Sequence, residues 1–329
     1  MISKTASFNM KGLACIGIAL HHYFHQAEIP VQFLAWFVSL WGTTLVACFF
    51  FLSGYGLTQS FGDKRPSCAL FFKRIVRILV PLAVIHLTLY FPLLKLNLME
   101  PLRGAKAIIG YLFFDTENHF LWFIKAILVM YLFFFISSIP KSKNVRIIIC
   151  FLLILTYGIF AKYVLKYGSV QYANNFPFLL GCIIAMYESQ IKKAIFDIRM
   201  PRLVIASITI SGILFLAFQF LRNSVLDDVS CMCLGFCMIP TVLLLNYLRC
   251  FEYRSFAFLG ACSFELYIIH WWILSLMKSE GYLTLSPLSI LLFTGSCLLM
   301  AYIFSIINRY PIAKYDALTK SGKNSKIHS

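Results

Sequence analysis

Apolar residues fill long stretches of this chain, and polar residues punctuate them at short intervals. Ten apolar stretches read as helices able to span a bilayer, most of about 18 to 25 residues and the shortest 14. They are Phe8–Gln26, Val31–Leu57, Leu70–Leu93, Phe120–Ile139, Val145–Lys166, Asn174–Tyr187, Arg202–Leu221, Val229–Leu248, Phe256–Met277 and Pro287–Tyr310. Ile108–Phe114 is too short to cross and reads as a re-entrant or interfacial piece. The prediction is an all-α, polytopic membrane protein of about ten transmembrane helices joined by short loops. Residues 1–313 form one membrane domain. The basic tail, residues 314–329, is expected to be disordered and held near the lipid surface.

Composition agrees with this class. Hydrophobic residues make up 60% of the chain, charged residues 13%, and the mean hydropathy is +0.81, which excludes an ordinary soluble domain. Charge sorts with topology. With a cytoplasmic N-terminus, the inner segments hold 21 of the 29 Lys and Arg, the outer segments 7, and Lys125 lies within a span. A three-to-one bias predicts both termini on the cytoplasmic side. The net charge of +16 is then mainly a topology signal, with some attraction to anionic lipid. No basic soluble face suggests nucleic-acid binding. The first span has no signal-peptide cleavage pattern and reads as a retained helix. The eleven cysteines show no Cys-x-x-Cys. Cys231, Cys233 and Cys237 cluster in one span, where small apolar packing is favoured over metal binding. No metal is expected.

Ionisable residues inside spans are costly and mark function. Lys11 and His22 share the first helix; eleven residues bring them within about 20° of one face and about 16 Å apart along the axis. A cation and a histidine so placed suit an anionic group at one end and proton transfer at the other. His21 and His25 flank His22. In this topology His86, His119 and His270 also fall toward the outer leaflet, and only His328 is cytoplasmic, so a polar cavity opening outward is expected. On the inner side Lys73, Arg74 and Arg77 enter the third span, with Arg74 and Arg77 at i and i+3. That pattern suits a phosphate-bearing ligand, and equally suits cations anchoring a helix end.

Weaker signals surround these. Phe49-Phe50-Phe51-Leu52-Ser53-Gly54-Tyr55-Gly56 ends the second span, with small residues that allow close backbone approach. Trp122 and Lys125 follow His119; Asp115, Glu117 and Glu265 are alternative partners for Lys125. Ser263, Tyr267 and His270 lie along one face of the ninth span.

Together these pieces resemble the integral-membrane acyltransferase family called acyltransferase type three. The matching segments are Lys11-Gly12-Leu13-Ala14 through His22, Phe49 to Tyr55, Lys73-Arg74 and Arg77 before Pro81, His119-x-x-Trp122-Phe123, Phe178 to Gly181, and Leu259-Gly260 with Ser263 to His270. The resemblance covers Phe8 to Pro311. It implies an enzyme that moves an acyl group, usually acetyl, from cytoplasmic acyl-CoA to a hydroxyl of an extracytoplasmic or lipid-linked glycan. Acyl-CoA is then a co-substrate, and no bound cofactor is implied. The implied location is a plasma membrane, with a bacterial source expected. His22 matches the family's essential histidine. Lys11 matches a basic residue that is often arginine, and Arg74 and Arg77 match an arginine pair associated with donor handling. His22 is expected as general base or acyl carrier, with His21 as the alternative reactive residue. Lys11, Tyr55 or a backbone amide are the alternatives for an oxyanion donor. Ser53, His119, Trp122, Lys125, Glu265 and His270 remain cavity candidates. The rival functions are a proton-coupled transporter or flippase of glycan or lipid-linked precursors, and a polysaccharide polymerase or ligase. Visible inverted repeats would favour the transporter, and none is seen. A large outer loop would favour the polymerase, and the stretch from Leu94 to His119 is modest.

Overall fold

A computed structural model describes residues 2–61, 67–95 and 122–324. Helix makes up 84% of it, and no strand occurs among the described residues. The helices in chain order are α1 (Lys4–Gln26), α2 (Gln32–Phe61), α3 (Cys68–Lys95), α4 (Trp122–Ser137) and α5 (Lys143–Tyr163). Then follow α6 (Ser169–Ala173), α7 (Phe176–Met186), α8 (Glu188–Phe196), α9 (Met200–Leu221), α10 (Asp227–Cys237) and α11 (Ile239–Tyr247). Last come α12 (Ala257–Ala261), α13 (Ser263–Ser279) and α14 (Pro287–Asn324). The interfacial segment expected at Ile108–Phe114 lies outside the described residues.

All ten apolar segments are helical over most of their length. Among the described residues five stretches are long and apolar enough to cross a membrane: Leu34–Phe61, Lys143–Tyr163, Met200–Leu221, Asp227–Tyr247 and Pro287–Tyr315. A sixth is reached if Arg254–Ala261 and Ser263–Ser279, bent by 60°, count as one span. The other four segments of the ten-span reading are α1, α3, α4 and α7. In α1, Asn9, Lys11 and the histidines interrupt the apolar run. At 16 and 11 residues, α4 and α7 extend about 24 Å and 16 Å, short of a hydrocarbon core of about 30 Å. The described residues are thus all-helical, with the apolar helices of a multi-pass membrane protein. The last helix continues through Pro311 to Asn324, past the start of the basic tail.

Helix ends follow local chemistry. The Ser3 hydroxyl caps α1 by accepting from the Ala6 amide at 3.0 Å. Four non-glycine residues take up left-handed backbone near helix ends: Glu28, Lys166, Asn223 and Arg249. After α5 the Tyr167 amide donates to the Ala161 carbonyl at 2.9 Å, and after α11 the Cys250 amide donates to Leu245 at 3.0 Å. These bonds satisfy carbonyls that the helix ends would otherwise leave bare.

Glycine sets the two tightest crossings. A Cβ on Gly54 would stand 2.0 Å from the Phe178 carbonyl oxygen, and one on Gly181 2.1 Å from that of Phe51. The backbones of α2 and α7 therefore touch. At the crossing of α1 with α12, a Cβ on Gly12 would lie 2.4 Å from the Leu259 carbonyl carbon, and one on Gly260 2.3 Å from the Phe8 ring. Around these crossings runs one core of α1 to α5, α7, α13 and α14, with Ile18, Tyr23, Phe50, Ile85, Met130 and Phe293 nearly or fully buried. At its edge, Lys162 of α5 pairs with Asp228 of α10 at 2.6 Å, and Tyr172 of α6 donates to the same carboxylate.

Candidate functional site

The core brings one end of α1 against α13. The bend between α12 and α13 turns α13 so that His270 meets His22: the rings stack with centroids 5.2 Å apart and planes 21° apart. Trp271 closes one side of His22, edge-on at 5.9 Å. His270 is fully buried, and its Nδ1 donates to the Leu266 carbonyl at 3.3 Å. A carbonyl only accepts, so in the neutral ring the accepting nitrogen is Nε2. Tyr267 packs beside His270 at 5.7 Å, and Phe123 of α4 packs on Tyr267 at 5.2 Å. Trp122 touches Phe123 and Phe50 on the same side.

His21 and His22 are adjacent, with centroids 5.0 Å apart, yet they have different surroundings. His21 turns to α2, where its Nδ1 donates to the Val38 carbonyl at 2.8 Å. Its ring lies where a Cβ on Gly42 would be, 2.5 Å from Cδ2 and Nε2. His25 is exposed and lies 6.2 Å from His21. His86 of α3 donates from Nδ1 to Leu82 at 2.8 Å and meets Trp272 edge-on at 5.4 Å. Four of the expected histidines thus form one ring cluster, His86 joins its margin through the tryptophan pair, and His119 lies outside the described residues.

Nearer the start of α1 sits a second polar group. Lys11 has Arg74 and Cys15 as electrostatic neighbours. The Arg74 guanidinium donates to the Ser60 hydroxyl at 2.9 Å. It also lines a small cavity with Tyr131, Leu57, Phe71 and Phe134. Tyr131 is half-buried, with Arg74 and the hydroxyl of Ser53 as polar neighbours, and Ser53 is itself buried. Two cations that feel each other repel, and an anion bound near both would relieve them. Arg77, one turn on, is exposed, and Lys73 is half-buried.

Other predicted residues go elsewhere. The Tyr55 hydroxyl donates to Glu188 at 2.6 Å and accepts from the Ile2 amide at 2.9 Å. It is held in a contact joining α2, α8 and the start of the chain. Glu265 is buried and accepts from Asn308 at 3.0 Å, with Cys15, Cys262 and Arg309 near it. Lys125 is half-buried on α4, one turn after Trp122; Asp115 and Glu117 lie outside the described residues. No His, Cys, Asp or Glu group among the described residues could hold a metal ion. All eleven cysteines are free.

Trp271, Trp272 and Tyr131 were not singled out from the sequence. The tryptophans directly follow His270, which was signal enough to include them. A tyrosine inside an apolar run, as Tyr131 is, reads as packing.

A search of curated proteins and one of solved structures found no match. A protein-family model described as an acyltransferase domain matches residues 7–308, a span that holds both polar clusters and every glycine crossing. The chain belongs to the acyltransferase type 3 family.

Proposed function

We propose that this protein transfers an acyl group, acetyl by the family's usual habit, from acyl-CoA to a hydroxyl of an extracytoplasmic or lipid-linked glycan. The observation that carries the reading is the division of α1 into two chemically different ends. Near one end Lys11 and Arg74 share a site suited to the phosphates of a CoA donor. About 16 Å along the same helix, His22 sits against His270 and Trp271. Lys73 and Arg77 would assist donor capture from the surface of α3.

In this scheme His22 removes the proton of the acceptor hydroxyl as its oxygen attacks the thioester carbonyl. The carbon–sulfur bond breaks, and the CoA thiolate leaves and takes a proton. In the covalent version the His22 imidazole attacks first and carries the acyl group to the hydroxyl. The engagement of His21 with Val38 supports His22 as the reacting ring. Lys11, at the far end of the helix, suits donor binding better than contact with the hydroxyl. The same reading takes all ten apolar segments as crossings, with both termini cytoplasmic and the protein in a plasma membrane.

The test is the acyl content of surface glycan in cells expressing wild type or His22→Ala at matched membrane levels. Loss of one O-acyl group in the mutant alone supports the scheme, whereas unchanged acylation removes His22 from it. Trapping acyl-histidine after incubation with donor only would select the covalent version.

A further inference from the structure

Away from both clusters, a cavity of about 440 Å³ opens between α7, α8, α9, α10 and α11. Its wall includes Ile191, Ile195, Leu203, Leu214, Phe236 and Leu243, and only Ser207 and Tyr247 bring hydroxyls to it. It exists because α9 packs loosely: none of its residues is buried. Between Leu203 and Leu214 the groove follows α9 for about 16 Å. That is half of a hydrocarbon core of about 30 Å, the depth of one leaflet.

The two ends of the groove differ in charge. From Leu203 to Leu221, α9 has no ionisable residue. At the other end exposed cations continue the lining face. Arg199 and Arg202 precede Leu203 and Ala206 by four residues each, one turn along α9, and Arg249 follows Tyr247 by two. Lys192 is paired with Glu188 at 2.6 Å, and Asp197 and Glu252 are the carboxylates on this rim. An apolar slot one leaflet deep with surplus cations at its mouth fits a hydrocarbon chain joined to a phosphate.

We infer that this groove binds an anionic phospholipid, with one acyl chain along α9 and the phosphate against Arg199 and Arg202. The site is separate from acyl transfer and does not depend on that reading.

The experiment is thermal unfolding of the full protein in nonionic detergent, with added dioleoyl-phosphatidylglycerol or dioleoyl-phosphatidylcholine. Wild type should gain several degrees with the anionic lipid and clearly less with the zwitterionic one. The double variant Arg199→Gln/Arg202→Gln should lose that difference, while Arg309→Gln on α14, also exposed, should keep it. Ala206→Phe, which fills the groove, should lose the gain from both lipids; Ser207→Leu gives the same reading if the larger variant does not fold. Equal gains from the two lipids in wild type would overturn the inference. So would a double variant that keeps the full difference, or a filled groove that keeps the phosphatidylglycerol gain.

Discussion

At the scale of single residues, two adjacent histidines have become chemically distinct. His21 is tied to a backbone carbonyl, and His22 faces a second imidazole. Helix position alone gives both the same right to react, and only the family resemblance puts His22 ahead, because identical neighbours on one helix differ in what the rest of the fold brings to them. Replacing His22 by Ala should abolish acyl transfer, whereas His21→Ala should retain measurable turnover; glycan acylation at matched expression distinguishes them. His270→Ala removes the ring that orients His22. It should lower kcat by about 10²-fold, the scale of positioned acid–base catalysis, and leave KM for acyl-CoA near wild type. Arg74→Ala should do the reverse, raising KM for the donor with a smaller effect on kcat, and Arg74→Lys should restore part of the loss because the charge returns without the fork. A KM unchanged in both Arg74 variants would remove that residue from donor binding. Tyr55 shows where residue-level reading stops. Its partners Ile2 and Glu188 are 53 and 133 positions away, a distance that no motif spacing encodes.

At the scale of elements, the apolar runs located the helices well, since burial in lipid or core demands the same residues. The interruptions were harder to read. α10 and α11 part at Met238, and α12 and α13 part at Cys262. The first is written in Pro240, which has no amide hydrogen to give the Phe236 carbonyl; the second has no proline, and Gly260 beside it packs against Phe8. The family-like motifs gain a physical reading here. Gly54 and Gly181 belong to two separate motifs that meet in one crossing, and Gly12 and Gly260 do the same. Part of what makes the family recognisable is therefore close helix contact. Gly181→Leu should drive α7 from α2 at a cost of about 1–3 kcal/mol, typical of overpacking. Reduced yield of folded protein and a lower Tm in detergent would show it, whereas Gly212→Leu on loosely packed α9, where a Cβ meets nothing within 4 Å, should be tolerated.

At the scale of the whole molecule, five or six helices among the described residues qualify as spans by length and composition, while ten apolar segments are helical and charge sorts between their ends. The helices below the usual threshold include α1, whose Lys11 and histidines are the residues that the proposed chemistry uses, so a site inside a membrane hides its own span from hydropathy. Epitope tags inserted after Lys141 and Asp197 should be reachable only from the cytoplasm, and tags after Asn223 and Gly281 only from outside. A tag after Asn223 that is reachable only from inside would refute the ten-span order. The acceptor's chemistry has no such signature in the chain, because the groups that would recognise a glycan are few, scattered and shared with packing.

The fit of His21 into the space above Gly42 carries an evolutionary consequence. The two positions form a lock, with the ring occupying the volume that any side chain at position 42 would need. Position 42 cannot enlarge while the ring stays in place, whereas position 21 can shrink alone. Among related sequences, residues larger than glycine at position 42 should coincide with residues smaller than histidine at position 21. Lineages that keep the histidine should keep the glycine.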